Sequence, residues 1–208
     1  MFRYLCIAVI LFYLPLDAKI YKIPPNLLKN MTTNGSYKPH CPTKHNDLRV
    51  VEVVYLNFAD QTKTGKLIVN KLIAKKTAKI FDKLYKIKYQ IKLIKPIYIF
   101  KANDYNSIAA NNTSAYNCRK ISNTNKWSNH AYGMAIDINP LQNPYISRSG
   151  QITHKASKPF IDRTTKVKNY KAMIQKNSYI VKLFKTHGFK WGGDWRTIKD
   201  YQHFEYKK

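Results

Sequence analysis

The stretch WSNHAYGMAIDINP, residues 127–140, constrains the fold most, because it sets a carboxylate inside an apolar strand. Residues 134–138 are typical of a β-strand with at least one buried face, and Asp137 has an isoleucine on each side. A buried, ionised carboxylate costs several kcal/mol unless it is paired, hydrogen-bonded or bound to a metal. The sequence must therefore supply a partner for Asp137.

Two histidines are candidate partners. His130 precedes Asp137 by seven residues, across a turn that opens with AYG, and His203 lies far away on a predicted final strand. Two histidines and one carboxylate suit a catalytic Zn²⁺ ion, because three protein ligands leave the fourth position open for water. A bound zinc ion lowers the pKa of that water to about 7. The spacing alone is equally compatible with structural histidines.

The order of the predicted elements favours a mixed α+β fold, with a small antiparallel sheet, flanking helices and long loops. Pro96 limits the third predicted strand to an edge or a break. Ile73, Thr77, Ile80, Leu84 and Ile87 are expected to form the buried face of the first helix. Strands are predicted at 48–58, 66–70, 90–100 and 200–206, helices at 71–87 and 178–189, and long polar loops at 101–128 and 141–168.

The N-terminus resembles an export signal. Arg3 is followed by the apolar run YLCIAVILFYLPL, which has the length of a signal-peptide core and is short for a membrane span of about 20 residues. We expect a signal peptide at 1–18, an extended arm at 19–47 and one catalytic domain at 48–208. An uncleaved signal would instead attach the protein to the membrane.

Export changes the interpretation of the cysteines. Removal of the signal would take Cys6 away and leave Cys41 and Cys118. In an oxidising compartment such a pair is a candidate disulfide. The alternative is two free thiols.

The formal net charge of +26 is typical of proteins that bind polyanions. However, the lysines are spread along the whole chain, and no basic run belongs to a recognisable nucleic-acid module. We therefore expect no specific nucleic-acid partner. Lysines around the cleft that would contain the His130, Asp137 and His203 site are expected to attract peptides rich in carboxylates.

Four segments together, SAYNCR, WSNHAYGMAIDINPLQNPY, GFKWGGDW and DYQHFE, resemble a known family. They are similar to the VanY-like zinc metallopeptidases, which include D-alanyl-D-alanine carboxypeptidases and L-alanyl-D-glutamate endopeptidases and share the Hedgehog-type fold. The resemblance covers roughly residues 41–206. It implies that His130, Asp137 and His203 bind one zinc ion.

The same resemblance implies two catalytic residues. Asp200, three residues before the last histidine, would be the general base, although many relatives carry the longer glutamate there. Arg119 would bind the substrate carboxylate or stabilise the oxyanion that forms during hydrolysis.

Glu205 competes with Asp200 on physical grounds. Alternate residues of a strand share a face, so Glu205 and His203 point the same way, whereas Asp200 has the opposite parity unless it lies in a bend. We expect Asp200 to act as base and Glu205 to orient a metal ligand. Ser128 is expected to support the His130 loop through a hydrogen bond.

The sequence thus predicts an exported, monomeric zinc metallopeptidase that cleaves peptidoglycan stem peptides. Carboxypeptidase and endopeptidase action use the same metal site, and the sequence leaves that choice open. Two other classes remain: a non-catalytic zinc-containing binding module, and a basic exported protein that binds nucleic acid or an anionic wall polymer. Steeply salt-dependent binding without hydrolysis would favour the last.

Overall fold

The computed structural model describes residues 18–164 and 166–207. The predicted signal peptide lies outside these residues except for Ala18. The described part is mixed α+β with small antiparallel sheets, as predicted. Its strands and helices, in chain order, are β1 (Lys19–Lys22), α1 (Pro25–Thr33), β2 (Leu48–Leu56), β3 (Thr62–Asn70), α2 (Lys71–Lys86), β4 (Leu93–Ile94), α3 (Asp104–Ala109), β5 (Asn112–Thr113), β6 (Ala135–Asp137), β7 (Tyr145–Ile146), α4 (Tyr179–Thr186), β8 (Phe189–Trp191), β9 (Lys199–Asp200) and β10 (His203–Tyr206).

The first sheet has the order β1–β2–β3 and contains the predicted hairpin. The second strand of this hairpin, β3, starts at Thr62, earlier than predicted. The reason is a tight turn before it, in which the side chain of Asn57 accepts hydrogen bonds from the backbone N–H groups of Ala59 and Gln61. Helix α2 begins directly after this strand. The side chain of Asn70 caps it by accepting a hydrogen bond from the N–H of Leu72 at 3.1 Å.

Helix α2 packs on the first sheet through the apolar face predicted from its periodicity. Ile73, Thr77, Ile80 and Leu84 are buried. Ile87 is an exception, since it is 46% exposed. The helix has ended at Lys86, so Ile87 no longer follows the helical face and does not reach the core.

The second sheet, with the order β6–β10–β8, carries the candidate site. Helix α4 packs on it, and the ring of Phe184 stacks on that of Phe204 with centroids 3.9 Å apart. Both side chains are fully buried. Strands β6 and β10 are antiparallel, and His203 lies directly opposite Asp137 in their register.

Several sequence predictions for the shorter elements were wrong. Segment 19–47 is not simply extended, since it contains β1, which joins the first sheet, and helix α1. Segment 90–100 forms a strand only at 93–94, because Pro96 is followed by a 3-10 turn. The predicted loop at 101–128 includes helix α3, and the predicted last strand at 200–206 is interrupted at 201–202.

Cys41 and Cys118 form a disulfide, as predicted, with their Cα atoms 5.9 Å apart. The bridge joins the N-terminal segment to the chain just before the candidate site, and both cysteines pack against a second hydrophobic cluster that includes Met31, Leu48 and Tyr116. Among the described residues, no helix combines the length and apolar character needed to cross a membrane.

Candidate metal centre and catalytic cleft

The structure brings the three predicted ligands together. His130 lies on a 3-10 turn before β6, Asp137 ends β6 and His203 begins β10. His130 Nε2 is 3.1 Å from Asp137 Oδ2, and His203 Nδ1 is 2.9 Å from Asp137 Oδ1. The two histidine nitrogens are 3.2 Å apart, and one potential ligand atom from each of the three residues lies within 4.8 Å of the others.

The local sequence explains how His130 is held. Ser128 caps its turn, and the Ser128 hydroxyl accepts a hydrogen bond from the His130 N–H at 3.3 Å, as expected. Gly133 ends the turn in the left-handed region, with φ of 66°. Its carbonyl accepts a hydrogen bond from the N–H of Asn70 at 2.8 Å. The turn is therefore fixed to the end of β3.

In both histidines, the ring nitrogen that points away from Asp137 lies close to a hydrogen-bond acceptor. His130 Nδ1 lies 2.5 Å from the carbonyl oxygen of Ala115, and His203 Nε2 lies 3.5 Å from Glu205 Oε2. Donation at these outer positions leaves lone pairs on His130 Nε2 and His203 Nδ1, which face Asp137. Two imidazole nitrogens and one carboxylate with such partners are the donor set of a catalytic zinc site, so these residues fit the ion.

The charges of the cluster are strongly coupled. Burial would raise the pKa of Asp137, but His130 and His203 hold it far below its ordinary value. Burial would likewise lower the pKa of His203, but Asp137 and Glu205 raise it to about 10. The carboxylates thus favour positive charge at the position where the ligand atoms converge.

Glu205 occupies a supporting position beside His203. Its carboxylate also accepts a hydrogen bond from the side chain of Asn129 and pairs with Lys207 Nζ at 3.2 Å. The contact with His203 is the main reason that the pKa of Glu205 falls to about 2. An ionised carboxylate at this position orients the His203 ring.

Asp200 lies in β9, paired with Tyr145 of β7, and the bend at 201–202 separates it from β10. Strand parity therefore does not relate Asp200 to His203, and both residues line the same cleft. Among the described residues, Asp200 Oδ1 is buried and has no hydrogen-bond partner. Burial, assisted by the charge of Asp137, raises the pKa of Asp200 to about 6 against the opposing effect of His203.

Gly192 leaves room for Asp200. A Cβ atom at position 192 would lie 2.5 Å from the Asp200 carbonyl oxygen and 3.0 Å from its Cβ atom. Trp195 also lines the cleft and packs beside His203, with the two ring centroids 5.4 Å apart.

Arg119 lines the same cleft, whose volume is about 620 Å³. Its Nε contacts the carboxylate of Asp104 at the start of α3, and Nη1 donates to the Lys120 carbonyl at 3.3 Å. The other Asp104 oxygen accepts a hydrogen bond from Asn117 Nδ2 at 2.9 Å. The structure thus places all six predicted site residues in one cleft.

The lysines expected around the cleft do not line its wall. Of the described residues that line the cleft, Arg119 is the one lysine or arginine. Lysine side chains are long and strongly hydrated, and they extend from the outer surface instead.

Two supporting residues were not predicted from sequence: Asp104, which contacts Arg119, and Asn129, which donates a hydrogen bond to Glu205. Asn129 lies inside the quoted motif, but a lone amide gives no signal of its role. Asp104 lies in the segment 101–128, which the sequence predicts to be a loop. The segment NDYNS at 103–107 does contain a helix-start signal, since the Asn103 side chain caps α3 by accepting from the N–H of Asn106 at 3.0 Å.

The fold and the cleft first define a class: a mixed α+β protein with a His–Asp–His group in the same cleft as Asp200, a carboxylate whose Oδ1 atom is buried. Residues 122–206 match the family model described as D-alanyl-D-alanine carboxypeptidase, which confirms the resemblance predicted from the sequence. The match supports a peptidase of that type. It includes the candidate ligands, Asp200 and Glu205, and begins after Arg119 and Asp104. No solved structure matches the chain.

Proposed function

We propose that this protein is an exported, monomeric zinc peptidase that hydrolyses peptide bonds in peptidoglycan stem peptides. The observation that carries the proposal is the convergence of His130, Asp137 and His203 in a cleft that also contains Asp200, whose Oδ1 atom is buried and has no hydrogen-bond partner among the described residues. The family match of residues 122–206 supports the peptidase class.

His130 Nε2, His203 Nδ1 and one Asp137 oxygen would hold the metal. A zinc ion there would supply Lewis-acid activation of water and of the scissile carbonyl group. Ala115 and Glu205 keep the outer histidine nitrogens protonated, so that the inner nitrogens remain free to bind.

Asp200 carries the proton in this proposal. Its unpartnered oxygen accepts a proton from the attacking water as the oxygen–carbon bond forms. The same carboxyl group then gives the proton to the leaving nitrogen as the carbon–nitrogen bond breaks. In the metal-free protein burial raises the pKa of Asp200 to about 6, so its carboxylate is a stronger proton acceptor than an exposed aspartate.

Arg119 faces the cleft with a fixed guanidinium group. Because Asp104 holds its Nε and Nη1 donates to the Lys120 carbonyl, Nη2 would meet the substrate. It would stabilise the negative charge that develops on the scissile carbonyl oxygen.

Export is supported by two observations. The first 18 residues have the pattern of a signal peptide, and the Cys41–Cys118 disulfide suits an oxidising compartment. A cell-wall substrate outside the cytoplasm agrees with both.

Mass spectrometry of products tests the proposal. Purified peptidoglycan fragments are incubated with the zinc-loaded mature protein, and Asp200→Asn serves as a matched inactive control. We expect new peptide termini with wild type and almost none with the variant. Intact fragments in both reactions, together with salt-dependent binding, would favour a non-catalytic wall-binding protein.

A further inference from the structure

Arg163, in the long loop between β7 and α4, donates the hydrogen bonds of its guanidinium group to neutral oxygen atoms. Nη1 donates to the carbonyl oxygens of Gln142 at 2.7 Å and Phe160 at 2.8 Å. Nη2 donates to the side-chain oxygen of Asn143 at 2.9 Å and to the carbonyl oxygen of Ile174 at 3.0 Å. Burial lowers the pKa of Arg163 to about 10, so the group remains charged at neutral pH.

These acceptors lie at the two ends of the loop. The fully buried Asn143 extends the same network, since its Nδ2 donates to the carbonyl oxygens of Ile138 at 3.1 Å and Ala172 at 3.0 Å. Its Oδ1 also accepts a hydrogen bond from the N–H of Ile174 at 2.6 Å. Arg163 and Asn143 therefore join the chain just before β7 to the chain that approaches α4.

The same guanidinium group packs on the bend that follows Asp200. Its Cζ lies 4.5 Å from the centre of the Tyr201 ring. Trp191 also packs beside this ring, at 5.8 Å between centroids, and its Nε1 donates to the Tyr201 carbonyl at 2.9 Å. The N–H of Tyr201 donates to the carbonyl of Pro144 at 3.2 Å. The bend is thus held through both its backbone and its aromatic side chain.

We propose that Arg163 is a positioning residue for Asp200. It fixes the chain before β7, whose Tyr145 lies opposite Asp200 in the register, and it packs on the ring of Tyr201, the next residue. Both contacts act on the backbone that carries the proposed base. Exact placement matters, because a misplacement of about 1 Å can lower a rate about 10²-fold. The inference rests on the proposed peptidase function.

Arg163→Lys tests this role. Lysine keeps the positive charge, but one ammonium group cannot replace a planar guanidinium that serves four acceptors and stacks on a ring. We expect kcat per bound zinc on peptidoglycan fragments to fall about 10- to 100-fold. The zinc dissociation constant should change by less than about threefold, because Arg163 contacts neither a candidate ligand nor the acceptors of the two histidines.

Amide hydrogen exchange of the metal-free protein gives a readout that does not depend on activity. In Arg163→Lys, exchange at the N–H of Tyr201 should become about tenfold faster or more, while β2 and β3 keep their wild-type rates. Arg49→Lys is the matched control. Its guanidinium also donates to backbone carbonyls, those of Asn46 and Leu48, and Arg49 does not line the cleft. The control should leave kcat, zinc binding and exchange at Tyr201 unchanged.

The outcomes separate a positioning role from general stabilisation. Wild-type kcat per bound zinc in Arg163→Lys would overturn the inference and leave the peptidase function standing. So would a loss of activity that only follows the loss of bound zinc, accompanied by faster exchange in β2 and β3. If wild type cleaves no peptidoglycan fragment, the proposed function fails, and the catalytic role of Arg163 fails with it.

Discussion

Asp137 sits between Ile136 and Ile138, which are both fully buried. Its carboxylate is compensated from two directions, by His130 at 3.1 Å and His203 at 2.9 Å. Removal of either partner would leave a buried charge with half of its compensation, which is strongly destabilising in general. This residue therefore links the stability of the second sheet to the chemistry of the cleft.

Asp200 and Glu205 should respond differently to loss of charge. Asp200→Asn keeps the shape and removes the proton acceptor, so zinc should stay bound while kcat falls about 10²- to 10⁴-fold. Glu205→Gln weakens the orientation of His203, so zinc should bind about 10- to 100-fold more weakly. Steady-state kinetics across a zinc titration measures both effects.

Excess zinc separates the two roles. It should restore much of the activity of Glu205→Gln and none of that of Asp200→Asn. The opposite pattern, with Asp200→Asn rescued by zinc and Glu205→Gln inactive but fully metallated, would mean that the two roles are exchanged.

Asp200 should also reduce the stability of the metal-free protein. Its pKa is raised to about 6 from an ordinary 3.8, so the folded state binds the proton more tightly than the unfolded state. Ionisation of Asp200 therefore lowers the free energy of unfolding as the pH rises from about 4 to about 6, and the loss is complete above the folded-state pKa of about 6. Asp200→Asn should therefore stabilise the protein at pH 7.5 by about 1–3 kcal/mol.

Urea unfolding in the presence of a chelator measures this effect. The stabilisation by Asp200→Asn should be smaller at pH 4 than at pH 7.5. A variant that is equally or less stable than wild type at both pH values would show that the buried carboxylate does not strain the fold.

Long elements with a clear apolar period were predictable from sequence. Strand β2 forms within the predicted segment, and helix α2 buries four of its five predicted apolar-face residues, because nine and sixteen residues carry enough pattern to fix the local structure. The two-residue strands β4 and β9 carry no such pattern. They form because tertiary neighbours, β5 and β7, supply their hydrogen bonds.

The site was predictable to a similar degree. The candidate metal ligands His130, Asp137 and His203 lie in two distinctive sequence segments, and Ser128 has the position of a turn cap. The pairing of Asp104 with Arg119 could not be predicted, because it joins residues fifteen positions apart through the path of the connecting chain. The bend at 201–202 likewise depends on the pairing of β9 with β7.

The turn that carries His130 depends on Gly133. An added Cβ at this position would lie 2.7 Å from the backbone N of Asn70, in addition to the strain of a φ of +66°. Gly133→Ala should therefore destabilise the protein by about 2–4 kcal/mol in urea unfolding. Gly150→Ala is the matched control, since its φ is +80° and nothing lies within 4 Å of its added Cβ.

The Gly150→Ala control should lower the free energy of unfolding by only about 1–2 kcal/mol, because it adds the strain of the left-handed conformation alone. Equal losses for the two alanine variants would contradict the close packing of the His130 turn against β3.

At the scale of the whole molecule, three connections converge on the cleft. The disulfide ties the N-terminal segment to the Arg119 region, β3 holds the His130 turn, and the second sheet pairs Asp137 with His203. Of the described residues that line this cleft, none is a lysine, although the chain as a whole has a formal net charge of +26. The candidate metal ligands thus come from elements that only the complete fold brings together.

Zinc content is the most direct test of the central claim. The mature protein is dialysed against zinc, freed of excess ion and analysed by elemental mass spectrometry, beside His203→Ala and the control His187→Ala, whose residue is hydrogen-bonded to the Leu183 carbonyl on α4. We predict about one zinc per chain for wild type and the control, and almost none for His203→Ala, because two remaining ligands hold the ion weakly. Full zinc retention by His203→Ala would contradict the assignment of His130, Asp137 and His203 as the metal site.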